Sequence, residues 1–248
     1  MTERLMEQIG LAAYTALVRE AETTPKPGLV DRSNTGVHRD MDLPLFHTSA
    51  KALSPYFFRF VRLGADNADL PADAAMLARL RPLGIEAERA MLAATGGVNT
   101  HRGALFVLGV LCGCAGRLAA RGEALTPDAV CREAGLLCAG MEAELKDPAA
   151  DTHGARCYRL YGVTGVRVEA ARGFPSLLRC ALPWLMRTDL PEERRLCAAL
   201  LDLYAHVDDT TVLSRSGAEG AAYCKAAAWA FLRVRDPGEV GFIAALTD

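Results

Sequence analysis

The chain has 248 residues, 51% of them hydrophobic, and its 28 Lys and Arg stand against 30 Asp and Glu for a formal net charge of -2. That balance excludes a field strong enough to gather nucleic acid or an anionic membrane, so neither is expected as a partner and any anion site must be local. The length suits a core of ordinary size, and a single domain over residues 1–248 is the expectation.

At the N-terminus, MTERLMEQIG carries charges where a secretory signal would run apolar, which predicts a cytoplasmic protein. Leu5, Ile9, Ala13 and Leu17 recur every four positions, so residues 3–22 read as a helix that Thr24-Pro25 cannot continue. Further helices are expected at about 46–63, 71–93, 103–121 and 127–145, the last with Thr126 as N-cap and Pro127 in the first turn. Others fall at about 176–187, 191–206 and 218–235, with a short piece at the end. The nearly apolar run 103–116 falls short of the roughly 18 residues of a spanning helix and reads as a buried core helix. Loose alternation in VTGVRV, near Val163, is a thin strand signal with no βαβ rhythm beside it, so the predicted fold class is all-α, with polar loops between helices. The eight cysteines are scattered through helical patterns without a CxxC pair and are expected to be reduced. Cys112 and Cys114 form a CxC, but positions i and i+2 of a helix point to different faces, which disfavours a metal there.

Four polar, glycine-marked segments separate the helices, and loops on a rigid scaffold are where sites are usually built. The first, TPKPGLVDRSNTGVHRDMD (residues 24–42), offers little to bury. Asp31, Asp40 and Asp42 can turn carboxylates toward a hard cation such as Mg²⁺, with Lys26, Arg32, His38 and Arg39 nearby, although any of the aspartates could instead cap a helix. Pro25, Pro27, Gly28 and Gly36 suit a preformed loop. In the second, TGGVNTHRG, the glycines Gly96 and Gly97, Asn99, Thr100, His101 and Arg102 precede a helix, a combination able to cradle phosphate; the plainer alternative is a turn capped by Asn99 or Thr100. The third, from Thr152 to Ser176, contributes His153, Arg167, Glu169 and Arg172 as plausible participants. The fourth, HVDDTTVLSRSGAEG, places His206, Asp208 and Asp209 behind an amphipathic helix, where the aspartates can complete a metal site, act as a base or merely solvate a helix end. His47 reads as a surface or capping residue, and Trp184 and Trp229, in apolar helical contexts, read as core.

Taken in order, EAETTPKPGLVDRSNTGVHRDMD, TGGVNTHRGALFVLG, THG…YGVTGVRVEAARGFPS and DDTTVLSRSGAEG closely resemble the triphosphoribosyl-dephospho-CoA synthase family, over residues 22–220. The chain departs from the family's usual pattern at Val168, in place of a glycine, at Thr211, in place of an asparagine, and at Ser216, again in place of a glycine. The resemblance implies a mainly helical fold, ATP and 3′-dephospho-CoA as substrates, and transfer of the 5-triphosphoribosyl group to the 2′-hydroxyl of dephospho-CoA with release of adenine. It also implies a product that serves as prosthetic-group precursor for malonate decarboxylase or citrate lyase, with an acyl carrier protein transferase or carrier subunit downstream.

Such a reaction, from a β-linked donor to an α-linked product, is most simply one displacement with inversion through an oxocarbenium-like transition state. It needs a base for the hydroxyl, a proton donor for adenine, and metal with Lys or Arg for the polyanion. The assignment is Asp40, Asp42, Asp208 and Asp209 for Mg²⁺ or base work, with His101 and Glu169 as acid or base. Lys26, Arg32, Arg102 and Arg215 fall to the phosphates, and His38, Gly96, Gly97, Asn99, His153 and Arg167 to substrate binding. Two rival functions are a metal-dependent nucleotide phosphohydrolase, suggested by HVDD, and a non-catalytic CoA-binding homologue, suggested by the departures.

Overall fold

The computed structural model describes residues 2–147, 149 and 152–247. Helices and the turns between them make up the described residues, with no strand among them, as the periodicity predicts. The chain divides into two compact units: the first takes the chain up to Glu22 and Gly28–Ala139, the second takes Thr23–Pro27 and everything from Gly140 onward.

In the first unit, α1 (Glu3–Glu22), α2 (Leu43–Asp66), α3 (Ala74–Ala94), α4 (Arg102–Ala120) and α5 (Pro127–Cys138) share one core. Its centre holds Leu53, Phe57 and Val61 of α2, Ala87 and Met91 of α3, and Cys114 of α4, each fully buried. α2 and α4 cross with their backbones in contact. A Cβ on Gly64 would stand 2.0 Å from the Gly113 carbonyl oxygen, and one on Gly116 would stand 2.0 Å from that of Val61. α4 is the core helix expected from its apolar run; it is the one helix among the described residues long and apolar enough to cross a membrane by length and composition, and more than half of it is buried in the protein. Burial pushes the Cys112 thiol up to about 12 and raises that of Cys114 well above its usual value, so both stay protonated.

Caps set the helix starts. Asp42 Oδ1 accepts from Leu45 N at 2.9 Å, Asp73 Oδ1 from Ala75 N at 2.9 Å, and Thr126 Oγ1 from Ala129 N at 3.2 Å ahead of Pro127, as expected.

In the second unit, α6 (Met141–Lys146), α7 (His153–Tyr161) and α8 (Gly165–Ala171) pack around Leu145, Ala155 and Val168. A π-helical segment, Leu177–Ala181, runs into α9 (Leu182–Leu185) and packs on α10 (Glu192–His206). α11 (Thr210–Val234) and α12 (Phe242–Thr247) complete a second core of Cys197, Ala198, Leu201, Ala228 and Phe242.

Several boundaries differ from expectation. The helix foreseen at 127–145 breaks at Gly140 into α5 and α6, a residue that costs about 1 kcal/mol inside a helix. The VTGVRV stretch holds no strand: Gly162 caps α7 at φ 71, Val163 and Thr164 form the turn, Gly165 opens α8 at φ 59, and of its valines only Val168 is fully buried, so the alternation has no sheet to face. α11 begins at Thr210, yet Gly217 breaks it at φ 69 and ψ -173, leaving the part after the break close to the expected 218–235. Trp229 is not core: it is 49% exposed beneath the Arg233 guanidinium. Trp184 is half-buried and donates Nε1–H to Asp202 Oδ2 at 2.8 Å. His47 lies on the surface 3.2 Å from Glu22 Oε1.

Candidate active site

The loop between α1 and α2 is more buried than its composition suggests. Lys26, Val30 and Asp31 are 4%, 2% and 3% exposed. In the first unit, Asp31 Oδ1 accepts from Ser33 N at 2.7 Å, Ser33 Oγ at 2.6 Å and Asn34 N at 2.9 Å, folding the stretch into a tight Asx turn. Val37 N donates to the Gly28 oxygen at 3.2 Å, and Gly36, at φ 57, lies so close to Gly28 that a side chain could not fit. The expectation of a loop held out of the core therefore holds only for its middle and end. Arg32, Arg39 and Asp40 are exposed there, and His38 Nδ1 lies 3.9 Å from Asp40 Oδ1. Asp42 is exposed and serves as the α2 cap.

The TGGVNTHRG segment joins α3 to α4. Gly96 and Gly97, at φ 65 and 91, close α3, with Gly97 N donating to the Leu92 oxygen at 2.8 Å; both have open space where a Cβ would stand. Asn99 Oδ1 accepts from Arg102 N at 3.1 Å, so Asn99 supplies the cap bond while His101 occupies the N-cap position. The Arg102 guanidinium reaches Glu88 Oε1 at 2.5 Å. His101 is 4% exposed: its Nδ1 meets Ser49 Oγ at 2.7 Å, Thr100 Oγ1 donates to the same hydroxyl at 2.6 Å, and Phe46 sits edge-on at 4.8 Å. Ser49, whose hydroxyl holds both His101 and Thr100, is a contact that sequence reasoning missed. Its signal was faint, a small polar residue four positions before Leu53 in the helical pattern of α2, and its full burial appears only in the fold.

In the second unit, the carbonyls flanking Lys26 are held by α10: Cys197 Sγ reaches the Pro25 oxygen at 3.5 Å and Tyr204 Oη the Pro27 oxygen at 3.4 Å. His153 opens α7, with Nε2 at 3.3 Å from the Thr210 oxygen and 3.6 Å from Cys157 Sγ. Burial, partly offset by Arg156, raises the Cys157 thiol above its usual value. Glu169 Oε1 accepts from Ser176 N at 2.6 Å, tying α8 to the start of the π-helical segment, and Arg167 lies half-buried on α8. Asp208 Oδ1 pairs with Lys225 Nζ at 2.5 Å, and Asp209 caps α11 through Thr211 N at 2.6 Å and Val212 N at 3.0 Å. Both aspartates line a small crevice with Tyr204, Val207, Val212 and Lys225. Arg215 is exposed two residues before the Gly217 break. The three departures have structural places: Val168 fills the core around Leu145, Thr211 supplies an N–H to Asp209, and Ser216 Oγ donates to the Val212 oxygen at 2.8 Å.

The described residues form helices and turns throughout, the mainly helical fold that the resemblance implies. A protein of Pectobacterium atrosepticum named 2-(5″-triphosphoribosyl)-3′-dephosphocoenzyme-A synthase is 46% identical over 214 residues, 84% of this chain and 70% of that one. Proteins given the same name with the qualifier probable are 46% identical over 231 residues in Albidiferax ferrireducens, covering 90% of this chain and 76% of the relative, and 41% identical over 246 residues in Citrobacter koseri, covering 96% and 81%. No solved structure matches the chain. The family model described as ATP:dephospho-CoA triphosphoribosyl transferase matches residues 6–246, and the chain belongs to that family. It is a transferase that moves the triphosphoribosyl group of ATP to dephospho-CoA.

Proposed function

We propose that the polar loops of this transferase divide the reaction among themselves, with the 2′-hydroxyl of 3′-dephospho-CoA as acceptor and adenine as leaving group. The family match across residues 6–246, which takes in all four loops, carries this reading. The glycosidic bond from adenine to the anomeric carbon breaks, and the bond from the acceptor oxygen to that carbon forms on the opposite face. The hydroxyl proton passes to a base and the departing adenine takes one up.

In the first unit, Arg32 and Arg102 hold phosphate oxygens, the Gly96–Gly97 turn and Asn99 let the chain approach closely, and His38 lies beside Asp40. His101, fixed by Ser49, and Glu169 of the second unit are the acid–base groups. In the second unit, Lys26 and Arg215 serve the phosphates and His153 and Arg167 the substrate. Asp40 and Asp42 in the first unit, and Asp208 and Asp209 in the second, fit Mg²⁺ in donor chemistry, being exposed or half-exposed carboxylates whose contacts run through Oδ1. Bound there, Mg²⁺ would neutralise the polyphosphate. The product serves an acyl carrier subunit of malonate decarboxylase or citrate lyase.

The test incubates the protein with ATP, Mg²⁺ and dephospho-CoA and resolves products by chromatography and mass spectrometry. Adenine and a triphosphoribosylated acceptor, formed only when dephospho-CoA is present, are expected. ADP or pyrophosphate without adenine would overturn the reading in favour of a phosphohydrolase, and no turnover would favour a non-catalytic binder.

A further inference from the structure

Among the described residues, outside the groups assigned above, one cluster of chemically different ligands stands together in the second unit. Cys180 of the π-helical segment and Asp202 and His206 of α10 each offer a donor atom, and these atoms lie within 4.8 Å of one another. We propose that Cys180, Asp202 and His206 form a site for a zinc-class divalent ion, distinct in chemistry from the all-carboxylate Mg²⁺ groups.

Two features build it. Asp202 and His206 stand one turn apart on α10, so their side chains share a face, with His206 Nδ1 2.8 Å from Asp202 Oδ1. The wider turn of the π-helix at Leu177–Ala181 sets Cys180 against that face, and single π-turns of this kind recur at functional positions. The second carboxylate oxygen, Asp202 Oδ2, is already held by Trp184 Nε1–H at 2.8 Å, the kind of outer contact that orients a metal-binding carboxylate.

Thiolate, imidazole and carboxylate together suit zinc and cobalt better than magnesium. Zinc bonds of about 2.0–2.3 Å at tetrahedral angles place donor atoms roughly 3.3–3.7 Å apart, so closure needs a contraction of about 1 Å at the widest pair, and an opening of roughly 0.5 Å at the His206–Asp202 pair that gives up the 2.9 Å contact of Nδ1 with the Asp202 carbonyl oxygen. The side chains can supply it: His206 is 55% exposed and Asp202 20%. That exposure also gives the ion an entry path and leaves water or a ligand oxygen the fourth position. Cys180 is 9% exposed, and burial, with help from Asp202 and Glu169, raises its thiol, so the metal must displace the proton. Each ion bound therefore releases one proton to solvent as the metal–sulfur bond forms.

The experiment uses the full chain, freed of metal by dialysis against chelator. Titration with Co²⁺ is followed by the cobalt–thiolate charge-transfer absorption, and titration with Zn²⁺ by calorimetry. One equivalent of each is expected, with a cobalt–thiolate band that millimolar Mg²⁺ does not remove. Cys180→Ser should abolish the band, and His206→Ala should weaken Zn²⁺ binding at least tenfold, with circular dichroism confirming both folds. The His206→Ala variant, changed at a half-exposed position, keeps the test open if Cys180→Ser misfolds. Cys224→Ser, at the exposed thiol of α11, should change nothing. A band that survives Cys180→Ser, that disappears instead in Cys157→Ser, or that yields to Mg²⁺ would overturn the proposal, as would the absence of any cobalt–thiolate band.

Discussion

Arg117 and Glu133 form an ion pair inside the core of the first unit, with the Arg117 side chain 1% exposed, that of Glu133 8%, and Nε 2.7 Å from Oε1. The same guanidinium donates to the carbonyls of Asn67 and Leu70, just beyond the end of α2, so one side chain joins α4, α5 and the turn after α2. Arg121 adds a second guanidinium at 3.0 Å from Glu133 Oε1. Removing one partner of a buried pair leaves an uncompensated charge and costs about 3–5 kcal/mol. Glu133→Gln should therefore lower the unfolding free energy from urea denaturation by that order, and an unchanged value would show that the network contributes little.

The same carboxylate predicts a pH dependence. Burial alone would push Glu133 up, but the hydrogen bonds and charges of Arg121 and Arg117 outweigh it and hold its pKa below the ordinary 4.5. The unfolded chain then binds the proton more readily, so this group's contribution is fully present above about pH 4.5 and is lost as pH falls through the lower folded value. Unfolding free energies measured from pH 6 downward should fall more steeply in the native chain than in Glu133→Gln over that acid range. Parallel curves would refute the assignment.

The α2–α4 crossing predicts which glycines tolerate no side chain. A methyl group on Gly64 or Gly116 would meet a carbonyl oxygen at 2.0 Å, which no rotamer change relieves because the obstacle is backbone. Gly64→Ala and Gly116→Ala should each destabilise by about 1–3 kcal/mol or more through forced separation of the helices. Gly103→Ala, with open space around it, serves as the control and should leave the thermal midpoint nearly unchanged.

Legibility in the sequence followed the range of the interaction. α1 was readable because Leu5, Ile9, Ala13 and Leu17 repeat locally, and α5 because Thr126 and Pro127 mark its start with local hydrogen bonding. The buried Arg117 was not: its partners lie 16, 47 and 50 residues away, and nothing near it in sequence distinguishes it from a solvated arginine on an apolar helix. The division into two units was equally hidden, since it falls at Ala139–Gly140 and around Thr23–Pro27 without any linker-like composition. In the polar loops, residue types were visible, whereas the burial of Lys26, Asp31 and His101 depends on tertiary packing that no local pattern encodes.

His101 offers a test of positioning. Ser49→Ala removes the 2.7 Å contact to Nδ1 while leaving the imidazole in place, and the lost bond at a buried site should cost about 1–3 kcal/mol of stability. If His101 is an acid–base group, kcat for adenine release should also fall with KM little changed, and Ser49→Thr, which keeps a hydroxyl, should recover part of it. A stability loss with normal kcat would leave His101 a packing residue.

The last prediction separates two roles that meet in the loop before α2. Asp40 has a side chain 62% exposed and lies 3.9 Å from His38 Nδ1, so Asp40→Ala should alter stability by no more than about 0.5 kcal/mol. If Asp40 binds Mg²⁺ on the polyphosphate, the same change should remove most adenine release and make the remainder more demanding of Mg²⁺. Asp42 needs a finer substitution, because its Oδ1 caps α2 and alanine would cost about 0.5–2 kcal/mol whatever its part in turnover. Asp42→Asn keeps a cap acceptor of similar strength and removes only the charge. Its thermal midpoint should match that of the native chain while adenine release falls by at least tenfold. Full activity in Asp42→Asn together with a lowered midpoint in Asp42→Ala would reduce Asp42 to a helix cap and remove it from the proposed Mg²⁺ ligands.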